Sequence, residues 1–231
     1  ARSRTRPRFM AGTEQPSGGG GGCPVGFGSI GTAAPVACVG QAALNKLNNM
    51  ETPNQQPAPG QPYALPKGRV ESSIPTSNGS NWIYPSEQMF FNAMRRKGWD
   101  PTVEDMAAVV QIHNAVNERA WHQVLVWERL HESVCDNPRL VRFQGKPTEP
   151  TPKARVMQLL GYAPPFDRHD WVVDRCGTEV SYLIDFYRGK SRDGYSPSFH
   201  IDARPVIDSP STFMDRAMMP LYKAFGVVKA N

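Results

Sequence analysis

A histidine at position 113 continues an apolar stripe, Val103, Met106, Ala107 and Val110, that recurs at helical spacing. Burial on such a face disfavours the charged imidazolium and leaves a neutral ring. A neutral imidazole in an apolar pocket suits axial ligation of an iron porphyrin. A core histidine bonded to a backbone carbonyl would give the same pattern. Cys23-Pro24 is a second candidate, since a thiolate can approach ferric iron while proline removes the neighbouring amide donor and stiffens the chain. With four Cys and 22 Pro in 231 residues, chance alone supplies roughly 0.4 such pairs, so the pair has little weight as a motif.

The densest charge lies in PFDRHDWVVDRCGTEV, from Pro165 to Val180, which holds Asp167, Arg168, His169, Asp170, Asp174, Arg175 and Glu179. Arginines there could clamp carboxylates, and the histidine and acids could form an acid–base site. A solvated hairpin with mutual ion pairs is the other reading. Trp82, Tyr84, Phe90, Phe91 and Trp99 could stack on a flat macrocycle or simply form core. His122, His131 and Cys135 match no metal-ligand spacing, and His200 carries no signal of its own. The chain has no phosphate loop, nucleophile elbow or dinucleotide fingerprint.

These residues need elements to position them. Residues 1–78 read as a disordered leader, with five consecutive glycines from Gly18 to Gly22 and the later run PNQQPAPGQPYALPKG. Only Ala33 to Leu47 has helical character in that leader. A folded core is expected over residues 79–231. Pro85 and the residues after it suit the first turn of a helix that Gly98 ends, with Met89, Phe90, Ala93 and Met94 on its apolar face. Thr102 should begin a second helix, with Glu104 and Asp105 near its positive end. Asn114 and Asn117 mark an expected break before a third helix carrying Ala120, Trp121, Val124, Leu125 and Trp127. A Pro-rich loop is expected from Pro138 to Pro152, then a short helix, KARVMQLLG. WVVD and EVSYLIDFY flank a turn, RCGT, and FHIDARPVID reads as a further strand. Ser211 to Phe225 reads as a closing helix. The fold class expected is α+β: several helices and a small antiparallel sheet in one core.

Net charge is +5 and the isoelectric point about 9.1, which favours anionic partners, from nucleic acid and anionic lipid to carboxylates. Much of the excess is Arg2, Arg4, Arg6 and Arg8, ahead of the first acid, Glu14, in the manner of an organelle-targeting peptide. No apolar run approaches the ~18 residues of a membrane-spanning helix. The four cysteines, Cys23, Cys38, Cys135 and Cys176, form no CxxC pair, which argues against a zinc ribbon or thioredoxin-type site and leaves disulfides open.

Three blocks, NWIYPSEQMFFNAMRRKGW, IHNAVNERAWHQVLVWE and PFDRHDWVVDRCGTEVSYLIDFY, closely resemble, in order and spacing, the hallmark blocks of the mitochondrial holocytochrome c synthases, or cytochrome c haem lyases. The resemblance covers about residues 80–225, and the Cys-Pro in its leader fits too. It implies a lyase that binds ferrous haem b and apocytochrome c, or cytochrome c1, and joins the haem vinyl groups to the two cysteines of a CxxCH motif. It also implies a place in the intermembrane space, peripheral on the inner mitochondrial membrane, and no nucleic-acid partner. By the same resemblance His113 is an axial iron ligand, and the histidine of CxxCH is the other. Trp82 and Tyr84 match positions tied to haem binding and product release. Glu118 and Arg175 match required acidic and basic positions, and His169 a supporting histidine. Glu118, five residues beyond His113, would share its helical face only poorly unless the break turned it back. The single Cys-Pro, where several members have more, makes Cys23 the weakest match, and Arg95 and Ser181 also depart from the pattern. A non-catalytic haem carrier is the alternative, since it would need the same ligand without the bond-forming step.

Overall fold

The computed structural model describes residues 54–146, 149–189 and 198–226. Along the chain lie β1 (Glu71–Pro75), β2 (Asn81–Ile83), α1 (Glu87–Arg96), α2 (Met106–Glu128), β3 (Arg139–Gly145), α3 (Pro152–Leu159), β4 (Asp167–Arg175), β5 (Thr178–Arg188), β6 (Phe199–Pro205) and α4 (Pro210–Ala224). β1 and β2 form a small antiparallel hairpin, and β3-β4-β5-β6 form a four-stranded antiparallel sheet. The expected α+β class is the one observed.

Strand alternation explains the core. The register pairs Trp171 with Tyr182 and Val173 with Val180 across β4 and β5, and Ile184 with Ala203 across β5 and β6. These residues share one face of the sheet, and α2 covers it with Ala120, Trp121 and Val124. A second cluster, Leu65, Phe91, Val103, Met106 and Val110, packs α1 against the start of α2.

The expected break at Asn114–Asn117 does not exist: α2 is one continuous helix, and it begins at Met106, after Asp105, rather than at Thr102. Magnitudes explain the continuity. Asparagine in a helix interior costs no more than about 0.7 kcal/mol relative to alanine. Each large aromatic sealed by the helix removes roughly 150–250 Å² from water, about 4–6 kcal/mol gross. Asn117 also answers its own polar group by donating to the His113 carbonyl at 2.8 Å.

Other boundaries move too. The leader expected to reach residue 78 gives way sooner, because Leu65 and Ile74 are buried and β1 pairs with β2. Single apolar residues in a Pro-rich context carry no periodicity from which this could be read. The Pro138–Pro152 segment contains strand β3, whose register shift between Leu140 and Arg142 hides its alternation. In α1 the N-cap is Ser86; Phe90 and Met94 of the expected face pack partly buried against the second cluster, while the fully buried residues are Gln88, Phe91 and Asn92. Their polarity is satisfied locally: Gln88 accepts from the Leu65 amide, and Asn92 donates to the carbonyls of Asn54 and Gln56. The β4–β5 turn, α3 and α4 fall close to expectation, with Ser209 and Thr212 forming a capping box at α4.

Cys176 and Gly177 both have positive φ at the β4–β5 turn, the conformation of a tight two-residue hairpin. Cys176 is joined to Cys135 by a disulfide that spans 41 residues of chain. Loop-closure entropy for a link of that length is worth about 4 kcal/mol. A Cys135→Ser, Cys176→Ser protein should melt several degrees lower, and non-reducing peptide mapping should find the two cysteines linked. Free thiols at both positions in the oxidised protein would refute the linkage.

Candidate functional site

The position of the site follows from how α2 lies along the sheet. Near the end of α2, Glu128 receives Arg175 through two short hydrogen bonds, 2.7 and 2.9 Å. Midway, the rings of Trp121 and Trp171 lie 6.4 Å apart. Helix and strand therefore run back together from that pair. From Arg175 to His169 the strand covers about 20 Å, and from Glu128 to His113 the helix covers about 22 Å. His113 thus arrives at the level of His169 and Asp167.

Around His113 the setting is aromatic. The Phe90 ring meets the imidazole edge-on at 4.8 Å, and Tyr84 does so at 6.2 Å. Asn114 Oδ1 lies 3.3 Å from its Nδ1, and Asn117 Nδ2 lies against the ring. Burial lowers the His113 pKa below the usual 6.5; the Asn114 hydrogen bond opposes this, His169 and Lys97 add to it, and Asp167 opposes it. The ring is therefore neutral at physiological pH, as ligation of iron requires.

Tyr84 links His113 to Glu118 without any break in the helix. Its hydroxyl donates to Glu118 Oε1 at 2.9 Å, and the carboxylate also accepts from the Ser73 amide at 3.1 Å and from the Ser73 hydroxyl. Burial, then the bond and charge of Glu118, raise the Tyr84 pKa well beyond its ordinary range, so it remains a donor. The poor helical phase of Glu118 is corrected by its partner: the carboxylate reaches the β1–β2 hairpin, and Tyr84 reaches back to the histidine.

His169 is half of a second pairing, with Asp167 Oδ2 3.2 Å from its Nε2. Phe186 packs against its ring at 5.1 Å. Gly145 is its partner across β3 and β4, and a Cβ there would lie 3.5 Å from the ring, an ordinary van der Waals contact. Its Nδ1 is buried without a hydrogen-bond partner. Trp82 stacks edge-on against Phe143 at 4.9 Å, and Phe143 neighbours Trp171.

Arg175 is not brought to His113. It is buried and bonded to Glu128, with Asp215 at 3.9 Å, while Tyr182 donates to the same Glu128 carboxylate. The anion clamp expected of it is replaced by an internal ion pair. Asp215 also holds His131 at 2.9 Å, so that histidine is structural as well. The sequence reading passed over Glu128, whose place at the end of an apolar helix gave the available hint. Cys23 lies outside the described residues. Among the described residues there is no cluster of three or more His, Cys, Asp or Glu suited to a metal ion. No helix among them is long and apolar enough to cross a membrane. His113 and its surroundings suit a flat macrocycle that brings its own equatorial donors and needs one axial base.

The family model for cytochrome c/c1 heme lyase matches residues 14–220. The holocytochrome c-type synthase of Gallus gallus is 47% identical over 195 residues, covering 78% of this chain and 71% of the relative. The holocytochrome c-type synthase of Homo sapiens is 48% identical over 189 residues, covering 77% and 70%. The holocytochrome-c synthase of Saccharomyces cerevisiae is 38% identical over 226 residues, covering 84% of each chain. No solved structure matches the chain.

Two outcomes test the site's electrostatics. In haem-free protein His113 should titrate below pH 6.5, so its neutral form adds stability that is fully present above the unfolded value and fades as pH falls through it towards the folded pKa. A resolved His113 NMR titration at or above 6.5 would contradict the desolvated ring. Separately, Arg175→Ala leaves the buried Glu128 charge unpaired and should cost about 3–5 kcal/mol in denaturant unfolding. A change within the range of surface substitutions would show that the pair does not hold the fold.

Proposed function

Because the chain belongs to the cytochrome c/c1 heme lyase family, we propose that it is a holocytochrome c synthase, a lyase that joins haem covalently to apocytochrome c or cytochrome c1. The observation that carries the reading is His113, a neutral imidazole set among aromatic rings within a chain of this family. Its proposed role is axial ligation of the iron of haem b, the substrate. The histidine of the CxxCH motif approaches from the other face and brings the two cysteine thiols beside the vinyl groups.

The reaction adds S–H across each vinyl C=C: a carbon–sulfur bond forms at one vinyl carbon and the thiol proton ends on the other. No net oxidation or reduction is involved, and ferrous haem is the form taken. Thiol and alkene meet slowly in solution, so holding them together supplies most of the rate. The thiolate is the nucleophile, and a nearby base raises its fraction. Glu118, through Tyr84, sets the polarity beside His113, while Trp82 and Tyr84 border the macrocycle. His169, bonded to Asp167, supports the same region. Arg175 supports the site from a distance by fixing α2 against β4. Cys23, in the leader, would make transient contact during haem delivery. The proposed setting is the mitochondrial intermembrane space, peripheral to the inner membrane, with no nucleic-acid partner.

The test is coexpression with apocytochrome c in a bacterium without its own cytochrome c maturation system. Haem should remain on the cytochrome through denaturing electrophoresis, and His113→Ala should abolish both this product and most copurified haem. Haem that copurifies but never becomes covalent would identify a carrier instead. An unchanged absorption spectrum in His113→Ala would refute the ligand assignment.

A further inference from the structure

The neighbours of His113 treat its two ring nitrogens differently. Asn114 Oδ1 lies 3.3 Å from Nδ1. A carboxamide oxygen only accepts, so this bond forms only when Nδ1 carries the hydrogen. A neutral imidazole has one N–H, and the lone pair is then left on Nε2. Asn117 contributes differently. Its Nδ2 donates to the His113 carbonyl at 2.8 Å and lies 3.2 Å from Nε2 and 3.4 Å from Nδ1.

The lone-pair directions of the two nitrogens diverge within the ring plane. An atom almost equidistant from both cannot be in line with either, so the Asn117 amide sits over the face of the imidazole. There it acts as a weak N–H donor to the π face, anchored by its bond to the backbone. Phe90, at an interplanar angle of 67°, and Tyr84, at 83°, restrict the ring from other sides. Neither asparagine blocks the outward path from Nε2.

We propose that Asn114 and Asn117 are positioning residues for His113: Asn114 selects the Nδ1–H tautomer that makes Nε2 the ligating atom, and Asn117 fixes the plane of the ring. The proposal deepens the reading of His113 as the haem ligand and rests on it. Histidines that bind metals generally donate their other N–H to an acceptor that fixes tautomer and orientation, and losing that acceptor weakens metal affinity by roughly 10–100-fold. Here the acceptor is a neutral amide adjacent in sequence, and the clamp is one helical turn further on. Residues that are poor helix formers are thus placed where a helical histidine can use them.

Long-range proton–nitrogen correlation spectra of haem-free, 15N-labelled protein read the tautomer directly. Wild type should show His113 with hydrogen on Nδ1, and Asn114→Ala should move it towards Nε2. Asn114→Asp keeps an acceptor, so it should retain the Nδ1–H form and bind haem at least as tightly as wild type. Asn114→Ala and Asn117→Ala should each bind haem about tenfold more weakly with an altered absorption spectrum, while their thermal melting stays close to that of Asn114→Asp. An Nε2–H tautomer in wild type, or an unchanged tautomer in Asn114→Ala, overturns the proposal. So does wild-type haem binding in both alanine variants when His113→Ala has lost its haem. If His113→Ala itself keeps wild-type binding, the ligand reading falls and takes the proposal with it, an outcome distinct from failure of the asparagines alone.

Discussion

The buried pair of Arg175 and Glu128 sets where the long helix α2 lies along the sheet. Both charges have left water, at a cost of several kcal/mol each that only close, multiple bonding offsets. Two hydrogen bonds between them, the Tyr182 hydroxyl on the same carboxylate and nearby Asp215 provide that bonding. A slip of α2 by one turn would move Glu128 about 5.4 Å and leave both charges stranded. The pair therefore acts as a register pin more than as a source of net stability. Because a helix is stiff, fixing one end of α2 fixes the level at which His113 meets β4, about 22 Å away. A basic residue far from His113 can in this way decide where that histidine sits.

The middle of α2 is secured by a lighter device. Glu118 accepts from Ser73 and from Tyr84, so a single carboxylate ties the β1–β2 hairpin to α2 and directs a tyrosine ring towards His113. The carboxylate meets the Tyr84 hydroxyl, and the Tyr84 ring stands edge-on to the imidazole, 6.2 Å away between centroids. Burial meanwhile keeps the histidine neutral.

How much of this was legible depended on whether a signal was periodic or relational. The apolar stripe ending at His113 and the alternation in Val180, Tyr182, Ile184 and Phe186 are periodic; the strand appears where the sequence places it, and the helix appears too, though it starts later, at Met106, and runs on unbroken. β1 and β3 are not periodic enough: one is five residues long, the other is interrupted by a register shift between prolines. Between an anion clamp and an ion pair the sequence does not choose for Arg175, because its partner is 47 residues away and a charged residue shows nothing locally of whom it will meet. The mid-helix asparagines were read by propensity as a break. Propensity was outweighed by the aromatic burial that the unbroken helix achieves, and by a side-chain bond to the turn below.

The unbroken helix bears on chemistry as well as on fold. An enzyme that must release its haem on the finished cytochrome cannot hold iron as a carrier holds it. The group that accepts from the other ring nitrogen tunes this: a carboxylate on Nδ1 makes the imidazole more basic and the iron bond stronger, whereas a neutral amide fixes the tautomer with less effect on basicity. Asn114 supplies the weaker partner, and Asn117 restrains the ring without occupying Nε2. In the proposed role, the ligand is well oriented and only moderately strong. Orientation brings the vinyl groups to the thiols, and moderate strength lets the product go. The residues that looked like faults in the helix are suited to reconciling those two demands.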